Sequence, residues 1–172
     1  MKKNLRNQLA SWDGRSSDDI GAIYQAYCGD NDLSNQLVAL LGEQQCERGA
    51  SWMLKQHMKL VGAIEQKTIN QLYHQVLSSR DWQTRLHILQ SMEYFPVVES
   101  VLSTVDAFLR RCIADDNKFV RAWAYHGFFI LAQQYPQYQE EVAQFFALAL
   151  RDEVPSVQAR IRNILKNKNG MT

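Results

Sequence analysis

Helix breakers are scarce in this chain: three Pro and eight Gly in 172 residues leave long stretches with nothing to interrupt a helix. Alternating β-branched runs, the mark of half-buried strands, are nearly absent as well. Cysteine is sparse and odd in number. Cys28, Cys46 and Cys112 stand far apart without a CxxC pair, which argues against a zinc cluster, a redox dithiol or a disulfide framework and leads us to expect reduced thiols in a cytoplasmic protein. No apolar stretch approaches the length of a membrane span. Residues 1–12 start with positive charge but carry no apolar run of signal-peptide length, so no membrane partner is expected. A net charge of +1 gives no bulk preference for nucleic acid, membranes or acidic ligands. HExxH, the P-loop, GxSxG and GxGxxG are all missing. His57, His74, His87 and His126 fall on separate stretches with no carboxylate at ligand spacing, so neither catalysis nor a metal or other cofactor is expected.

What is present is helical periodicity. Hydrophobic residues make up 46% and charged residues 22% of the chain, enough to bury one domain-sized core. Apolar positions recur at helical spacing near 17–28, 34–45, 48–62, 67–79, 82–95, 98–114, 118–134, 138–151 and 155–167. Ser16, Ser17, Asp18 and Asp19 offer acceptors to the unpaired amides of a first turn, and Pro155 suits the first position of the last helix. Gly29 to Asp32, Pro96 and Pro136 mark breaks.

The helices repeat. Aligning the Trp of "GASWMLK" with that of "VRAWAYH" matches Ala50 to Arg121. "QTRLHIL" puts Arg85 in the same slot, and "SVQARIR" puts Gln158 there. The slots at 50, 85, 121 and 158 are 35, 36 and 37 residues apart, a steady period that marks a repeat array. Each unit reads as helix, short turn, helix. Two turns place Asp five residues before Val, Asp115 before Val120 and Asp152 before Val157. With "DDNKFVRAWA" and "DEVPSVQAR", the chain resembles the HEAT-type repeats over residues 34–167. The first stretch lacks the family's Pro, and the second has Gln158 where the family has Arg. The resemblance implies an all-α fold, a right-handed superhelix of four helical pairs whose first helices are convex and second helices concave. Residues 1–33 would form an N-terminal cap, followed by repeats at 34–66, 67–96, 97–136 and 137–168 and a tail at 169–172, all in one domain. Ile20, Ile23, Tyr24 and Tyr27 of the cap would face inward.

On a helical wheel of residues 118–133, Phe119, Val120, Trp123, Ala124, Gly127, Phe128, Ile130 and Leu131 fill about half the circumference. The opposite arc carries Lys118, Arg121, Tyr125, His126 and Phe129. It reads either as a cation-and-aromatic binding platform or as packing against neighbouring repeats, with Arg121 paired to a turn acid. The four second helices (48–60, 82–94, 118–133 and 156–168) hold ten cations and one acid, Glu93. The rest of the chain holds the other nine cations and seventeen of the eighteen acids. If those helices share a concave face, that face is basic and attracts an anionic partner. The expectation is a non-catalytic scaffold that binds another protein through an acidic segment. Its candidate contacts are Lys55, Arg85, Lys118, Arg121, Tyr125, His126, Phe129, Arg162 and Lys166. The alternative is a nucleic-acid-binding relative of HEAT-like alkylpurine DNA glycosylases, suggested by Trp82, Trp123 and Tyr125 beside the cations. The near-neutral total charge and the absence of Asp from the second helices speak against it.

Overall fold

A computed structural model describes residues 4–169, and these contain ten α-helices and no strand. In order they are α1 (Leu5–Ser11), α2 (Ser17–Tyr27), α3 (Leu33–Leu40), α4 (Glu47–Val61), α5 (Gln66–Leu77), α6 (Trp82–Leu89), α7 (Glu99–Ile113), α8 (Lys118–Gln134), α9 (Gln139–Asp152) and α10 (Pro155–Asn169). Short 3-10 turns follow α6 and α8. Most of the expected tail, residues 170–172, lies outside the described residues.

Local chemistry sets the boundaries. The Ser16 hydroxyl accepts from the amide of Asp19, the Asp81 carboxylate from that of Thr84, and the Asn117 side chain from that of Phe119. Each such cap contributes about 1 kcal/mol. Gly62 ends α4 at φ +74°, a conformation that a Cβ would strain. Two helices are shorter than the periodicity predicts. Beyond Leu40 the amides turn to nearer carbonyls, Leu41 to Val38 and Gly42 to Ala39, which tightens α3 into a 3-10-like exit. After Leu89 the amide of Ser91 does the same with Ile88, so Glu93 falls beyond α6. Helix α1, capped by Asn4, was not separately anticipated within the N-terminal segment.

The chain divides between Pro96 and Val97 into two compact units. In the first, α3 packs on α4, α3 lies beside α5, and α4 lies beside α6. Helices α1 and α2 cover this group: Leu5, Leu9, Ile20 and Tyr24 are buried, and α2 rests on α4. In the second unit α7 packs on α8 and α9 on α10, while α8 also contacts both α9 and α10.

Three of the four repeat positions identified in the sequence have a physical counterpart, while Ala50 at the first has no side-chain donor to make it. The Arg85 guanidinium donates to the Ser79 carbonyl at 3.0 Å, Arg121 to the Asp115 carbonyl at 2.9 Å, and the Gln158 amide to the Glu153 carbonyl at 2.8 Å. Each side chain reaches back to the turn before its own helix and satisfies a carbonyl that no helix pairs.

The wheel assignment of α8 needs correction. Phe119 is 51% exposed, and Trp123 is only half-buried. Tyr125, placed on the opposite arc, is instead buried, and so are Ala122 and Ala132 on the same side. Because α7, α9 and α10 all pack on α8, burial extends around more of the helix than one partner would require.

Candidate functional site

Two of the expected surface cations are structural. Arg121 places Nε 2.8 Å and Nη2 3.1 Å from the two carboxylate oxygens of Glu153, and its Nη1 donates to the carbonyls of Asp115 and Asp116. Glu153 holds the guanidinium pKa above its ordinary value. The forked geometry of arginine suits this carboxylate and the paired turn carbonyls together. Arg85 is buried, 7% exposed, beside Ser79. Its neighbour Glu47 is also buried and accepts from the Ser79 hydroxyl at 2.6 Å. Burial pushes the Glu47 carboxyl upward. Neither arginine is available to a partner. Tyr125 is lost to the surface too, edge-on to Phe146 at 6.3 Å. The platform of Arg121, Tyr125 and Phe129 therefore does not assemble.

Arg48 is an interhelical strut. It pairs with Asp81 through Nε and Nη2. Burial alone would raise the Asp81 pKa, but hydrogen bonds from Arg48 and from the Thr84 amide and hydroxyl outweigh it and leave the carboxyl below its usual value.

The remaining candidates differ in character. Lys55 is half-buried and donates to the Gln90 side-chain amide oxygen, Oε1, at 2.6 Å. Burial and then the neighbouring Lys59 lower its pKa. Across from it, His87 Nδ1 lies 2.9 Å from the Ser51 hydroxyl. Burial, followed by Lys55, lowers the His87 pKa to about 4. Ser51 is fully buried and also donates to the Arg48 carbonyl, so its hydroxyl is engaged on both sides inside the first unit. Lys118, Arg162 and Lys166 are exposed.

His126 sits between aromatic rings, 5.3 Å from Trp123 and 6.4 Å from Phe129. Burial and then Arg160 lower its pKa. Arg160 lies over the Trp123 ring at 4.0 Å, close enough for a cation–π contact. Beside this cluster, Phe129, Ala132, Val142, Phe146 and Leu165 line a pocket of 140 Å³, with Gln133 and Lys168 at its rim. Only Phe129 of that lining was anticipated. Val142, Phe146 and Leu165 read as ordinary core positions, and nothing in their spacing distinguishes them from a sealed interior.

Among the described residues, no group of three or more His, Cys, Asp or Glu is placed to hold a metal ion. None of the three cysteines is in a disulfide, and no described helix is long and apolar enough to cross a membrane. No family model matches the chain, and neither does any curated protein or solved structure.

Proposed function

We propose that the chain is a non-catalytic, cytoplasmic protein-binding scaffold of HEAT-like helical pairs. Its second helices receive an acidic segment of a partner protein. Support for the repeat type comes from the turn hydrogen bond recurring at Arg85, Arg121 and Gln158. Support for binding comes from one observation above all. Helix α10 carries Arg160, Arg162, Lys166 and Lys168 and no acid, beside an apolar pocket. Arg162, Lys166 and Lys168 are exposed, and no described acid pairs with them. Cations left unneutralised around an apolar recess favour a ligand that brings both carboxylates and an apolar anchor.

A second reading rests on Arg160 stacked over Trp123 beside His126 and Phe129: aromatic faces among cations also suit single-stranded nucleic acid. A glycosylase-like activity has less support: α6 ends before Glu93, and the one acid in α4, α6, α8 and α10 is Glu47, buried against Ser79.

Titrations over a range of salt separate the two readings. Labelled single- and double-stranded oligonucleotides are expected to bind no better than a neutral polymer at low salt. Micromolar, steeply salt-dependent binding to either would instead establish the nucleic-acid role.

A further inference from the structure

A trench between α2 and α4 in the first unit has a volume of 530 Å³. These helices run in the same direction. Position 49 lies against Ile20, and His57 Nδ1 is 3.3 Å from the Tyr24 hydroxyl, so numbers rise together along both. Gly21, Gln25 and Cys28 line one wall, and Trp52, Gln56 and Leu60 the other. The wall positions recur every three or four residues on each helix, the spacing that presents a continuous stripe. Gly21 deepens the floor: a Cβ built there meets nothing within 4 Å. Leu60, at one end of the trench, is 68% exposed, an uncovered aliphatic surface.

Charge identifies what would cover it. Lys59 lines the trench, and Lys55 is one turn before it on the same helix. Neither pairs with a described acid; Lys55 instead contacts an amide oxygen. Lys55 is turned toward Gln90 and His87 on the α6 side, which leaves Lys59 as an exposed, unneutralised cation on the wall of an apolar trench, a site that an anionic ligand would stabilise.

We propose that this trench docks an acidic amphipathic helix of a partner protein, its apolar stripe lying over Gly21 between Trp52 and Leu60 and a flanking carboxylate meeting Lys59. This rests on the protein-binding reading above and names the partner's form.

The test uses fluorescence anisotropy with two labelled peptides of about four helical turns. One has leucines on one face flanked by glutamates; its twin replaces every glutamate with lysine. The full chain should bind the acidic peptide and not the twin. Gly21→Leu fills the trench and places a better helix former at that position, so binding should fall at least tenfold while the melting temperature is kept. Lys59→Glu should act similarly. Equal binding of the twins, or undiminished binding in both variants, would overturn the proposal. If binding instead falls in Lys166→Glu/Lys168→Glu alone, the trench is refuted and the scaffold reading stands. No peptide binding combined with salt-sensitive oligonucleotide binding refutes both.

Discussion

Arg121 offers the sharpest distinction between a structural arginine and a recognition residue. Its fork spans the Glu153 carboxylate and two turn carbonyls, and the paired side chains retain 19% and 14% exposure. Removing one partner from a buried, hydrogen-bonded pair costs about 3–5 kcal/mol, and the residual solvent access places Arg121→Ala near the lower end, at about 3 kcal/mol. Arg121→Lys keeps the charge but loses the planar fork, so about 1–2 kcal/mol is expected. Glu153→Gln supplies the third corner of a double-mutant cycle, whose coupling should be about 1–2 kcal/mol. Urea unfolding followed by hydrogen exchange in α8 and α10 reads the second unit specifically. A loss below about 0.5 kcal/mol in Arg121→Ala, the range of ordinary surface substitutions, would refute the structural assignment and return Arg121 to the surface.

Three further outcomes follow from single contacts. His87 has its folded pKa lowered to about 4 from an ordinary 6.5, so the unfolded chain binds the extra proton first. The stabilisation from neutral His87 is complete above pH 6.5 and is lost as pH falls toward 4, by at most about 3 kcal/mol. Denaturant titrations across that window should show a shallower loss in His87→Gln than in the parent. Buried Tyr73 donates to the Phe95 carbonyl at 2.8 Å, and Tyr73→Phe should cost about 1–2 kcal/mol by orphaning that acceptor, read as a lower urea midpoint with an unchanged slope. Trp123, half-buried under Arg160, should cost less than the roughly 3–5 kcal/mol of a core truncation when replaced by Ala. Its coupling to Arg160→Gln, measured in a double-mutant cycle, should be about 0.5–1 kcal/mol.

Helices were legible where spacing and caps agreed. The opening of α8 at Lys118 follows from Asn117 and the turn acids, and Pro155 opens α10 as its fixed φ requires. The slot shared by Arg85, Arg121 and Gln158 was visible as a period, and the same positions all bond back to their turns. What those residues do was harder to read, because an arginine that pairs with Glu153, thirty-two residues on, has the same local sequence as one that faces a partner. Tyr125 shows a related difficulty. A wheel assigns one buried face, whereas α8 is packed by three helices, and the number of neighbours is not encoded in the helix itself. The trench was illegible for a different reason: its walls come from α2 and α4, and the isolated glycine at position 21 gives no local sign of a floor.

The central claim, that the second helices receive a protein, is tested most directly by a photo-cross-linking amino acid placed at Gln133, on the rim of the pocket beside α10, in living cells. A discrete protein adduct that disappears in Lys166→Glu/Lys168→Glu, with the melting temperature retained, is the expected result. Adducts to nucleic acid alone, or a protein adduct indifferent to both charge reversals, would contradict it.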